Sequence, residues 1–156
     1  MLASIRTFFR QRIGDAGRES AAHDPHALQL ATAALLFEML QADGEEHAAE
    51  RSALRAALRE RFSLSEEETG EVERLARQEA ADAVSLYPFT SLINRHFSPE
   101  EKIRVVEMLW QVAYADGQLD RYEEALVRKI AELIHVPHRH FIRARHRVQE
   151  GSAGPY

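Results

Sequence analysis

Two pairs of carboxylates stand out in this 156-residue chain, each with an Asp followed seven residues later by a Glu: Asp43 with Glu50, and Asp116 with Glu123. Each Asp sits in an Ala-Asp-Gly triplet, 42–44 and 115–117. Carboxylate and carbonyl oxygens suit hard cations such as Ca²⁺ or Mg²⁺. A turn between antiparallel helices brings the end of one helix near the first turns of the next. Asp43 could then approach Glu50, and Asp116 could approach Glu123, with free helix-end carbonyls as further ligands. Asp120 would add an oxygen to the second turn. The loop is not an EF-hand, because the Glu comes too early after its Asp. The same residues also have a purely structural reading. Asp-Gly ends a helix, and a Glu in the next first turn accepts backbone N–H groups or pairs with an Arg.

Other chemistry is thinner. His135, His138, His140 and His146 cluster near the C-terminus, without Cys or acids to complete a soft-metal site. Arg139, Arg143 and Arg147 form a weak candidate anion-binding set. A solvated face, or pairing with the acidic segment 66–83, is the alternative. Nothing resembles a G-x-S-x-G elbow, a phosphate-binding Gly loop or an H-E-x-x-H helix. The sequence therefore reads as a non-enzyme, with metal-assisted hydrolysis at the acidic turns as a remote alternative.

The elements that carry the turns repeat as well. Residues 35–50 superimpose on 108–123 with a shift of 73, which pairs Phe37 with Trp110, Asp43 with Asp116 and Glu50 with Glu123. In each copy an apolar helix, a turn and a second helix follow one another. Asp24-Pro25 predicts the start of the first apolar helix, which runs to about Ala42. Its apolar residues cover most of the circumference, as expected of a central helix. A second helix, about 46–61, has Ala49, Ala53, Leu54, Ala57 and Leu58 on one face. Ser65 with Glu68 predicts a capping box opening helix 66–83, with Val72, Leu75, Ala76 and Ala80 as its apolar stripe. Gly70 weakens it by about 1 kcal/mol relative to Ala. Tyr87-Pro88 starts a short helix, and Ser98 with Glu101 caps another that reaches Ala115. Helix 120–134 is expected to bury Tyr122, Leu126, Ile130 and Leu133. A basic helix, 138–149, buries Phe141, Ala144 and Val148.

No segment alternates like a strand. The fold class is all-α, a single domain of seven to eight helices with an internal two-fold duplication, in which helices 26–42 and 99–115 form the centre. Three parts are expected: a basic amphipathic helix with a linker over 1–23, the helical domain over 24–150, and a tail over 151–156. In the first part Ile5, Phe8 and Phe9 share a face, with Arg6 and Arg10 on the other. They suit docking to a partner or a membrane surface, or packing on the domain.

The totals agree with this picture. The chain has no Cys, so disulfides and thiolate sites are excluded. A net charge of −5 gives no general case for binding nucleic acid. No apolar run approaches the roughly 20 residues that span a bilayer.

On Ala42-Asp43-Gly44 with Glu50, and Ala113-Tyr114-Ala115-Asp116-Gly117 with Glu123, the chain resembles the tellurite-resistance TerB family. The likeness extends to Phe62-Ser63-Leu64-Ser65 and Ser98-Pro99-Glu100-Glu101, and covers roughly residues 26–146. It implies an all-helical, duplicated domain and acidic turns suggested to bind a divalent cation, Ca²⁺ or Mg²⁺. It also implies a cytoplasmic stress-response role with no enzymatic activity. The partner so implied is a protein of a membrane-linked stress complex; a second copy of the chain, and the inner membrane face met through residues 2–13, are further expected partners. One departure stands out. Glu46 and His47 replace the second copy's Leu119 and Asp120, so the first turn lacks an apolar pin and a carboxylate.

Overall fold

A computed structural model describes residues 25–42, 47–115, 117 and 119–153. Among them are seven helices and no strand. They are α1 (Pro25–Leu40), α2 (Ala48–Phe62), α3 (Glu66–Asp82), α4 (Tyr87–His96), α5 (Pro99–Ala113), α6 (Arg121–Leu133) and α7 (His138–Ala153). The expected N-terminal helix and Asp24 lie outside the described residues, and α7 continues three residues into the segment read as a tail.

Helix α1 is the hub. From Leu30 to Leu40 every residue but Glu38 is buried, including Leu35, Leu36, Phe37, Met39 and Leu40. An apolar surface all round must be covered all round. Accordingly α1 packs against α2, α3, α4, α5 and α6, most heavily against α3. Thr32 is fully buried and satisfies its hydroxyl by donating to the Leu28 carbonyl at 2.8 Å. Helix α5 is the second hub, packed on α1, α2, α6 and α7. Its Trp110 is fully buried beside Phe141 of α7, with ring centroids 5.2 Å apart.

The local start signals work as the sequence dictates. At Ser65 and at Ser98 the serine hydroxyl accepts the N3 backbone N–H, and the N3 carboxylate of Glu68 or Glu101 accepts the serine N–H. Two stops use the left-handed region without glycine. Ser63 (φ 53°) follows α2, and His135 (φ 61°) follows α6. In both, the next N–H returns to the helix: Leu64 to the Arg59 carbonyl at 3.1 Å, Val136 to the Ala131 carbonyl at 2.9 Å. Asn94 of α4 then donates to the Leu133 carbonyl at 2.9 Å, tying α4 to the end of α6.

Two expected faces differ. On α6 the buried residues are Glu123, Val127, Ile130 and Ala131, whereas Tyr122 and Leu133 are exposed and Leu126 is half-buried. The stripe of bulky residues is offset by one position from the stripe that faces the core. On α2 Ala49 is exposed and Glu50 takes the buried place.

Gly70 and Gly117 should respond oppositely to alanine. A Cβ at Gly70, inside α3, meets nothing within 4 Å. Gly70→Ala is expected to stabilise the protein by about 0.5–1 kcal/mol. Gly117 has φ +84°, so Gly117→Ala is expected to destabilise by about 1 kcal/mol. Urea denaturation of both variants checks the signs.

Candidate functional site

Each helix that follows an acidic turn carries a buried carboxylate at its third position. Glu50 of α2 is 0% exposed and Glu123 of α6 is 1% exposed. A carboxylate removed from water costs several kcal/mol unless compensated. The positive end of the helix dipole offsets part of that cost at both positions. The two therefore occupy the same place in their helices, as the 73-residue shift requires.

The residues before them differ. Asp120 is the N-cap of α6, and its Oδ2 accepts the backbone N–H groups of Tyr122 at 3.0 Å and Glu123 at 3.3 Å. The carboxylate expected to help a cation thus caps a helix. His47 holds the corresponding place in α2 and makes no side-chain capping bond. Leu119 packs on the core, as an apolar pin for the second turn. Asp43 and Asp116 lie outside the described residues. Among the described residues no group of three or more His, Cys, Asp or Glu could hold a metal ion, the C-terminal histidines included.

The second turn is also tied to the last helix. The Tyr114 hydroxyl accepts from Arg145 Nε at 2.8 Å and Gln149 Nε2 at 2.9 Å. Arg145 also lies over the Trp110 ring, 5.3 Å from its centroid. Of the three arginines read as an anion set, Arg139 and Arg143 are exposed, but Arg147 pairs with Glu107 of α5 at 3.2 Å. Arg145 reaches Glu124 of α6 at 3.7 Å. The described ion pairs of the basic helix thus run to α5 and α6, not to the acidic segment 66–83. The N-terminal candidates Ile5, Arg6, Phe8, Phe9 and Arg10 lie outside the described residues.

Two features escaped the sequence. The first is Glu73, whose side chain is 7% exposed on α3. Arg51, Arg55 and Arg77 all reach it, at 2.8, 3.2 and 3.8 Å. Only the Arg77 contact has a helical spacing that sequence could show. The second is Glu38, the one half-buried residue in the last three turns of α1. It opens on a cavity of ≈ 450 Å³ beside Val84, Tyr87, Leu126 and Leu133. Burial pushes its carboxyl above the usual carboxylate value of 4.5.

The family model described as "Tellurite resistance protein TerB" matches residues 29–146. No curated protein and no solved structure matches the chain. No helix among the described residues is long and apolar enough to cross a membrane.

Glu38 and Glu73 should behave differently on mutation. A raised folded-state pKa means that the native state holds the proton more tightly, so this group's contribution to stability is complete below the unfolded value and is lost as pH rises through the folded one. Glu38→Gln is therefore expected to raise the melting temperature at pH 7 by about 1–2 °C, with the gain vanishing below about pH 4.5. Glu73→Ala leaves three arginines without their shared acceptor. Those arginines keep solvent, so the loss is expected at about 1–3 kcal/mol, short of the cost for a wholly buried pair. Thermal melts across pH check the first, and urea titration the second.

Proposed function

The chain belongs to the TerB family, and from that premise we propose that it is a non-enzymatic binding module of a bacterial chemical-stress response, regulated by a divalent cation at its acidic turns. The observation that carries this reading is the pair of buried carboxylates, Glu50 and Glu123, at equivalent places after the two turns. Their oxygens fit a hard cation such as Ca²⁺ or Mg²⁺. Two described carboxylates do not make a site alone, so the turn residues Asp43 and Asp116 would complete the donor sets. The ion would supply charge neutralisation and a bridge between consecutive helices, α1 to α2 and α5 to α6. Its effect would be to order the turns, with no bond made or broken. A partner protein in a cytoplasmic stress complex would then read the ordered state.

Support also comes from the chemistry of the rest of the surface. Near the second turn, two residues that could act as acid or base have structural partners: Asp120 caps α6, and the Tyr114 hydroxyl accepts from Arg145.

Calorimetric titration of chelator-treated protein with Ca²⁺, Mg²⁺ and Mn²⁺ tests the reading. Saturable binding is expected, lost or halved in Asp43→Asn and Asp116→Asn and weakened at least tenfold in Glu50→Gln and Glu123→Gln. At a hundredfold excess over Kd the ion should add about 2.7 kcal/mol of stability. Absence of binding at millimolar ion, with all four variants folded, would sink the proposal.

A further inference from the structure

Helix α6 has two apolar stripes, and the body of the protein covers one of them. Val127, Ile130 and Ala131 face the core. Tyr122, Leu126 and Leu133 run along the neighbouring face at helical spacing, with Tyr122 and Leu133 exposed and Leu126 half-buried. The large hydrophobic side chains that stand exposed among the described residues are Val84, Tyr87, Tyr122 and Leu133. Val84, Tyr87 and Leu133 line one cavity of ≈ 450 Å³ between α6 and the α3–α4 connection, and Tyr122 lies one turn before Leu126 of the same lining. Single exposed apolar residues are ordinary, whereas their convergence on one groove marks a docking surface.

That groove has a charge set within its apolar lining. Glu38 of α1 is half-buried there, and burial alone acts on its carboxyl, with no cation close enough to hold it ionised. Lys129, the other charged residue of the lining, is exposed. The complementary occupant is an apolar helix face with a cation embedded in it, about as long as the stripe. From Tyr122 to Leu133 the stripe measures about 16 Å along α6.

The chain itself carries such a segment, outside the described residues. Residues 2–13 include Leu2, Ile5, Phe8, Phe9 and Ile13, together with Arg6, Arg10 and Arg12, and contain no acid. As a helix they span about 18 Å. Ile5, Phe8, Phe9 and Ile13 then share a face, and Arg12 falls within it, one turn after Phe8. The connection is long enough for the segment to return to the groove. Residues 14–24 can extend over about 36 Å, and Glu38 lies about 20 Å along α1 from Pro25. A tether of this kind holds the segment near the groove at about millimolar effective concentration, so docking needs no high affinity.

We propose that residues 2–13 of this same chain dock as a helix in the groove between α6 and the α3–α4 connection, with Phe8 and Phe9 against Tyr87, Leu126 and Leu133 and with Arg12 beside the Glu38 carboxylate. With the groove filled, Arg12 draws the proton affinity of Glu38 back down, and the gain expected from Glu38→Gln shrinks accordingly. The proposal does not depend on cation binding at the acidic turns.

The chain has no Cys, so Thr7→Cys gives a single attachment point for a nitroxide, on the side of the helix away from its apolar face. Amide spectra of the full-length ¹⁵N-labelled chain are compared with the nitroxide oxidised and reduced. Concentration-independent broadening is expected at the amides of Val84, Tyr87, Leu126 and Leu133. Phe8→Ser with Phe9→Ser is expected to abolish it, and Arg12→Glu to reduce it at least twofold, while the rest of the spectrum persists. No broadening at those amides, or undiminished broadening in both variants, would overturn the proposal. In a second sample, unlabelled chain bearing the nitroxide is mixed with ¹⁵N-labelled chain that lacks it. Broadening of equal size there would place the segment of a second copy in the groove and overturn the intramolecular assignment. A chain that shows no broadening in buffer but sediments with phosphatidylglycerol vesicles would give the segment to a membrane surface instead.

Discussion

Helix α1 has no polar side along its last three turns, and every other element answers to that fact. A helix with one apolar stripe needs one neighbour, whereas a helix buried all round needs a sleeve. Five helices supply the sleeve here, so none of them can be moved without exposing α1. Burial of each Leu, Phe or Met contributes roughly 1.5–3 kcal/mol relative to exposure. The run from Leu30 to Leu40 therefore concentrates a large share of the favourable energy in one short segment. Glu38 is the exception that confirms the geometry. It sits where the sleeve opens, between the α3–α4 connection and α6, and even there burial keeps its carboxyl from ionising at its ordinary pH.

Carboxylates enter this interior in three different ways. Glu73 is approached by arginines of both α2 and α3, which makes it a clamp between the two helices. Glu38 has burial without an ion pair in the described structure, and its proton affinity rises. Glu50 and Glu123 are the deepest of the four, and both stand at a helix N-terminus directly after an Ala-Asp-Gly turn. A carboxylate at either place costs more desolvation than Leu or Ala would. Asp120 sharpens the contrast between the two turns. It caps α6 with two backbone hydrogen bonds, a role that His47 leaves unfilled in α2.

What could be read from the sequence was what is decided locally. Ser65 with Glu68 and Ser98 with Glu101 form capping boxes because all the participating groups lie within four residues. The apolar circumference of α1 identified it as central for the same reason. The error on α6 arose where two stripes compete. Tyr122, Leu126 and Leu133 are larger than Ala131, but the arc that faces the core runs through Glu123, Val127, Ile130 and Ala131. The TerB likeness rested on turn residues and their spacing, and the family match over 29–146 covers the same region.

The interactions that escaped the sequence are those that join distant segments through long side chains. Arg51 and Glu73 are 22 residues apart, and Arg147 and Glu107 are 40 apart. A string of letters shows that α2 is rich in arginine and α3 rich in glutamate. It does not show that Glu73 is buried and Glu79 half-buried while Glu66, Glu67 and Glu71 remain in solvent. That selection follows from the apolar stripe of α3. Thr69, Val72, Leu75, Ala76 and Ala80 face α1, and Glu73 falls at the edge of their arc. Because α2 lies along that edge, its Arg51 and Arg55 meet Glu73 there. The meeting of these arginines on Glu73 is thus a consequence of how α1 brings α2 and α3 together.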